Sequence, residues 1–88
     1  MKPKIKKLTQ TCGACPSQWE ASTDDGRMIY IRYRWGGLSV SISKEITDDI
    51  YDAIDGDNLF CETLGDSFDG LMSEEAMKEI TKEVIDWN

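Results

Sequence analysis

The run MIYIRYRWGGLSVSIS, residues 28–43, decides the fold. Its first half is rich in β-branched and aromatic residues, and its second half alternates apolar residues with serine. Both patterns are typical of strands, because successive side chains of a strand point to opposite faces of a sheet. The run therefore predicts two strands, Met28–Trp35 and Leu38–Ser43, joined by a turn at Gly36-Gly37.

The stretch before this run predicts a third strand. Ser17–Thr23 alternates in the same way, and Asp24-Asp25-Gly26-Arg27 follows it. Asp-Gly favours a tight hairpin because glycine readily adopts the positive φ that such turns need. Residues 17–43 are thus predicted to form a three-stranded antiparallel meander with one buried and one solvated face.

The second half of the chain has helical spacing. Thr47 can cap a helix over residues 48–55, whose apolar residues are Ile46, Ile50, Ala53 and Ile54. Ser73 can cap a last helix with an apolar stripe of Met77, Ile80, Val84 and Trp87. No element is predicted over residues 57–72. We expect an α+β domain over residues 11–88, in the order β-β-β-α-α with both helices on one face of the sheet, after a flexible basic arm of residues 1–10.

The composition excludes several classes of protein. The 88 residues include 17 Asp and Glu, 10 Lys and Arg and no His, for a net charge of −7. Without His there is no Ser-His-Asp triad and no Cys-His dyad, and no catalytic arrangement is evident, so we expect no enzyme. No apolar run approaches the roughly 20 residues that span a bilayer, and no signal-peptide core is present. We expect a cytoplasmic protein that does not bind membranes.

The charge is unevenly distributed along the chain. Residues 1–10 carry four lysines and no acid, residues 11–43 carry three acids and three arginines, and residues 44–88 carry 14 acids and three lysines. The acidic half should repel phosphates, so we expect no direct binding to duplex DNA.

The predicted acidic helix is the first candidate for a binding site. Asp48, Asp52 and Asp55 recur at i, i+4 and i+7, with Asp49 beside them. Carboxylates one turn apart form a row of negative charge whose spacing is of the same order as that of phosphates along a nucleic acid. Such a row can occupy a basic groove meant for DNA or RNA. The alternative is a surface that serves only solubility.

The solvated face of the meander offers a second contact. Its candidate residues are Tyr30, Arg32 and Arg34. Trp35, which the alternation places on the opposite, apolar face, is included as a further contact residue. Arginines beside aromatic residues can stack on bases or bind an acidic protein surface. The alternative is a solvated face on which Glu20 pairs with an arginine across the strands.

Three cysteines form a candidate zinc site. Cys12 and Cys15 have the C-x-x-C spacing that grips zinc, and Cys61 can join them if the fold brings it close. A fourth Cys or His ligand is lacking in the sequence. The alternatives are idle thiols in a reducing cytosol or a local disulfide. No other cofactor is expected.

The run CGACPSQWEASTDDGRMIYIRYRWGGLSV, residues 12–40, resembles sequences of small phage and prophage proteins. The resemblance implies a bacterial cytosol. Small acidic domains in that setting include anti-CRISPR and other anti-defence inhibitors, which occlude basic nucleic-acid channels or block assembly. We therefore expect a non-enzymatic inhibitor of a host nucleic-acid-binding machine, as a monomer or homodimer. The alternatives are a zinc-stapled adaptor that binds a protein through its sheet face, and a nucleic-acid binder that uses the basic arm with Arg32 and Arg34.

Overall fold

The computed structural model describes residues 2–13, 17–65 and 72–87. Five strands and two helices are found in these ranges. In chain order they are β1 (Ile5–Gly13), β2 (Ser17–Thr23), β3 (Met28–Arg34), β4 (Gly37–Ile42), α1 (Ile50–Ile54), β5 (Asp57–Thr63) and α2 (Glu74–Thr81). The α+β class is as predicted, but the predicted arrangement of three strands and two packed helices is wrong.

The strands form one antiparallel sheet in the order β1-β2-β3-β4-β5. Its three central strands, β2 to β4, are the predicted meander. In each of them buried residues alternate with partly buried ones, which is the pattern of a sheet with one apolar face. The second hairpin turn lies one residue earlier than predicted, because Arg34 pairs with Gly37 and leaves Trp35 and Gly36 in the loop.

Strand β1 occupies most of the segment that was predicted to be a flexible arm. Leu8 lies opposite Ala21, and Gln10 lies opposite Trp19. The chain just before β1 is also held, because the amide of Asp86 donates to the Pro3 carbonyl at 2.9 Å and the amide of Ile5 donates to the Asp86 carbonyl at 3.2 Å. Lys6 and Lys7 thus belong to a strand at one edge of the sheet, and Lys2 and Lys4 precede it.

Strand β5 lies at the other edge, in the region for which no element was predicted. Its residues are mostly exposed, and Leu59 and Phe60 are the two that pack against the core. The register shifts once along β5, which leaves Leu59 without an opposite residue on β4.

The core lies on one face of the sheet, beneath α2 and the residues after it. Met77 and Ile85 are fully buried against the sheet, and the predicted stripe residues Ile80, Val84 and Trp87 pack around them. As predicted, Ser73 caps α2, since its hydroxyl accepts a hydrogen bond from the amide of Ala76 at 3.2 Å. The core residues of the sheet are Trp19, Ala21, Ile29, Ile31, Tyr33, Leu38, Val40 and Ile42.

Helix α1 does not cover this face, contrary to the prediction that both helices do. It packs against β3 and β4, but its buried residue, Ala53, lies outside the core cluster. Four of the five residues of α1 are only partly buried or exposed, and Ala53 alone is fully buried. Of the two helices that the structure describes, only α2 covers the apolar face, together with Met72 before it and the segment after it.

No helix within the described residues is long and apolar enough to cross a membrane.

Candidate functional site

The acidic residues of the predicted site lie in the segment between β4 and β5. The helix there begins at Ile50 and ends at Ile54, and is shorter than the predicted helix over residues 48–55. Asp49, not Thr47, is its N-cap, and its carboxylate accepts a hydrogen bond from the Tyr51 amide at 3.0 Å. Thr47 instead accepts from the Asp49 amide at 3.0 Å and donates to the Asp52 carboxylate at 2.7 Å.

The row of carboxylates along one helix is therefore not formed as predicted. Asp48 precedes the helix, Asp52 lies in its first turn, and Asp55 is its C-cap. These three residues and Asp49 are all exposed. We call residues 45–55, which include Glu45 and no basic residue, the acidic segment. Its charge is carried by a loop and one helical turn.

The acidic segment also exposes large apolar side chains. Ile46 is 78% exposed, Tyr51 70% and Ile54 42%. The helical spacing had assigned Ile46 and Ile54 to a buried face, which is wrong because α1 is too short to bury them. Tyr51 was not singled out, although its position among aspartates is visible in the sequence. A surface that only kept the protein soluble would not need these side chains exposed.

A cleft of about 320 Å³ opens within the acidic segment and the residues on either side of it. The wall combines charged, hydroxyl and apolar groups, and its residues are Lys44, Glu45, Ile46, Thr47, Asp52, Asp55 and Gly56. Asp52 and Asp55 thus line the same cleft as the exposed Ile46. The arrangement suits a cationic side chain with an apolar stem, such as arginine or lysine.

The second predicted contact is divided between the sheet and a turn. Tyr30 lies opposite Ser41, Arg32 lies opposite Ser39, and both are partly buried. Glu20 lies directly opposite Tyr30 on the neighbouring strand, so it is only a diagonal neighbour of Arg32. Tyr30 and Arg32 therefore belong to the sheet face, and Arg34 and Trp35 belong to its end.

Trp35 has the most unusual backbone of these residues. Its φ is +54°, in the left-handed region that residues other than glycine rarely adopt, and its side chain is 64% exposed. The guanidinium of Arg34 lies 4.1 Å from the centre of the indole ring. An exposed tryptophan in a strained turn is a candidate anchor for a protein partner.

Replacing Trp35 tests this strain. We expect Trp35→Asn to raise the free energy of unfolding by about 1 kcal/mol, because asparagine tolerates positive φ, and the gain exceeds the loss of the cation–π contact. Trp35→Ala loses the same contact and keeps the strain, so it should give no such gain. Urea unfolding followed by far-UV circular dichroism compares the two variants. Equal midpoints for both would contradict the prediction.

The Arg34–Trp35 turn and the acidic segment form separate surfaces. Trp35 precedes β4 and the acidic segment follows it, so the six residues of β4 separate them by roughly 20 Å. One flat contact does not include both Trp35 and the acidic segment. A partner that touches both must extend along the sheet.

The cysteines are also separated. Along one row of the sheet, Cys12 faces Gln18, Gln18 faces Arg32, Arg32 faces Ser39 and Ser39 faces Cys61. Four strand spacings place Cys12 and Cys61 roughly 19 Å apart, at opposite edges. Both cannot bind one metal ion within a single chain. Cys15 lies outside the described residues, and within those residues no group of three or more Cys, Asp and Glu side chains is placed to hold a metal.

Shifted pKa values occur in two surface ion pairs outside the acidic segment. The hydrogen bond from Thr23 and the charge of Arg27 lower the pKa of Asp25. The hydrogen bond to Glu79 raises the pKa of Lys82. One pair lies in the turn between β2 and β3 and the other at the end of α2.

No protein-family model, no curated protein and no solved structure matches the chain.

Proposed function

We propose that this protein is a non-enzymatic interaction protein that inhibits a nucleic-acid-binding protein by occupying its basic surface. The observation that carries the proposal is the acidic segment, in which Ile46 and Tyr51 are 78% and 70% exposed among five carboxylates. Protein interfaces combine an apolar centre with a charged rim, and this segment has both. Nucleic acid is repelled by such a surface, so the partner is a protein.

The charge determines which kind of protein partner fits. The five carboxylates of the acidic segment lie within eleven residues that contain no Lys or Arg. A surface rich in lysine and arginine complements them, and such surfaces are typical of proteins that bind DNA or RNA. A protein that covers such a surface competes with nucleic acid for it.

The biological setting rests on the resemblance of residues 12–40 to phage and prophage proteins. In a bacterial cytosol, the machines with the most exposed basic channels include nucleic-acid-guided defence systems. We propose that the protein acts there as an anti-defence inhibitor. The Arg34–Trp35 turn supplies a second contact to a partner long enough to reach it.

Displacement of nucleic acid tests the proposal. Purified bacterial DNA- and RNA-binding proteins, each bound to a labelled oligonucleotide, are titrated with the protein, and release is followed by fluorescence anisotropy. We expect release from at least one of them, with an effect that weakens as salt is raised. The triple variant Asp48→Lys, Asp52→Lys, Asp55→Lys should be about 100-fold weaker, because each new lysine repels the basic partner.

A matched control separates local from total charge. Glu75→Lys, Glu79→Lys, Glu83→Lys changes the net charge equally, at exposed positions on α2 and the turn after it. This control should displace the oligonucleotide as well as the natural sequence does. Ile46→Ser with Tyr51→Ser should weaken displacement without any change in charge. The proposal fails if the acidic-segment variant is as effective as the control, or if no oligonucleotide is released.

A further inference from the structure

The two edges of the sheet differ in how well they are protected from pairing with another chain. The β1 edge carries Lys6 and Lys7, its register shifts twice, and Asp86 bridges to Lys4 just before its start. Lysines, bulges and covering segments are the devices that prevent strands from pairing at an edge. The β1 edge is therefore blocked.

The β5 edge has fewer of these devices. Its one register shift lies at Leu59, and the four residues Phe60–Thr63 that follow pair regularly with β4. These four residues contain no Lys and no Pro, and the neighbouring Leu64 is 43% exposed. Within the described residues, no strand pairs with the outer side of β5.

The backbone groups that β5 presents outward can be identified. The amide of Leu64 donates to the Gly36 carbonyl at 2.6 Å, so the backbone N–H of Leu64 points to the β4 side of the strand and not outward. Because only two residues lie between Arg34 and Gly37 in the hairpin loop, the backbone N–H and C=O of Gly37 point toward β3. The backbone groups of the next residue, Leu38, therefore point toward β5 and pair with those of Glu62 opposite. By alternation, Cys61 and Thr63 direct their N–H and C=O groups away from the sheet.

The odd number of strands in the sheet determines how a second copy of the chain can pair with β5. In an antiparallel sheet of five strands, β1 and β5 run in the same direction. A copy added head to tail would therefore pair its β1 parallel to β5 and would leave an open edge. A two-fold axis instead pairs β5 with β5 antiparallel, which is the more stable pairing and gives a closed dimer.

We propose that a second copy of this chain pairs with the outer edge of β5, antiparallel and two-fold symmetric about Cys61. An axis at Glu62 would place two carboxylates opposite each other, and an axis at Phe60 would place the unpaired residue Leu59 within the centre of the ladder. An axis at Cys61 avoids both, and unlike an axis at Thr63 it keeps the residues next to the axis within β5. The acidic segment takes no part in this interface, so the inference is independent of the proposed inhibitory function.

Crosslinking tests the register. In the variant Cys12→Ser, Cys15→Ser the remaining Cys61 thiols face each other, so a short bismaleimide should join most chains into dimers. The control variant Cys15→Ser, Cys61→Ser leaves Cys12 on the blocked β1 edge, and it should give only a trace of dimer. Equal crosslinking of both variants, or of neither, would overturn the proposal.

A proline substitution tests the ladder itself. Cys61→Pro removes an outward N–H that β4 does not use, so the far-UV circular dichroism should be unchanged. Light scattering after size exclusion should give the mass of a dimer for the natural sequence and half that mass for Cys61→Pro. A dimer that survives in the folded proline variant rejects the interface. If the proline variant does not fold, the crosslinking result decides alone, since its two variants retain the β5 backbone.

Discussion

Gly56→Ala is expected to lower the free energy of unfolding by about 3 kcal/mol or more. A Cβ at this position would lie 1.9 Å from the Ile42 carbonyl oxygen and 2.9 Å from that of Asp52. Both contacts are with backbone, so no side chain can rotate away to relieve them. The start of β5 would have to move away from β4, with which Asp57 pairs.

Gly37→Ala is the matched control for this substitution. The Cβ added there would have its nearest neighbour at 3.5 Å, an ordinary van der Waals distance, and its backbone is not left-handed. We expect Gly37→Ala to change the free energy of unfolding by no more than about 0.5 kcal/mol. Urea unfolding of both variants, followed by circular dichroism, measures the difference. Similar midpoints for both would show that Gly56 does not hold α1 and β5 as closely as described.

Met77→Ala is expected to lower the free energy of unfolding by about 3 kcal/mol. Met77 is fully buried and belongs to α2, the one helix that covers the apolar face. Truncation leaves a cavity between this helix and the sheet that the rigid strands cannot close. Ile46→Ala is the control, since it removes a similar volume from a side chain that is 78% exposed. It should lower the free energy of unfolding by less than about 0.5 kcal/mol. A smaller loss for Met77 than for Ile46 would contradict the described core.

The central meander could be predicted because the alternation of apolar and polar residues in its sequence matches the burial of one face of the sheet. Strands β2 to β4 each have a neighbour on both sides and one buried face, so their side chains alternate clearly. The edge strands lack this agreement. Lys6 and Lys7 make β1 look like a solvated tail, although lysine is characteristic of protected edge strands. In β5, Asp57 and Asn58 are poor strand formers, and the register shift at Leu59 breaks the alternation.

The candidate site could be predicted in its chemistry but not in its geometry. The cluster of aspartates is visible in the sequence, and the structure exposes all four that were named. Helical spacing over residues 46–55 suggested a longer helix with a buried apolar face. Such a face is buried only where another part of the chain packs against it. The apolar face of the sheet is already covered by α2, so Ile46 and Ile54 are exposed.

The contact of Pro3 and Ile5 with Asp86 has a consequence for biosynthesis. The segment that closes the start of β1 is translated after every helix and strand that the structure describes, and the same segment covers the core with Ile85. A ribosome adds about 5–20 residues per second, so roughly two to nine seconds separate the end of β4 from Trp87. Throughout this interval the nascent meander exposes its apolar face. We expect this face to be covered only once residues 72–87, which supply Met77 and Ile85 to the core, have been made.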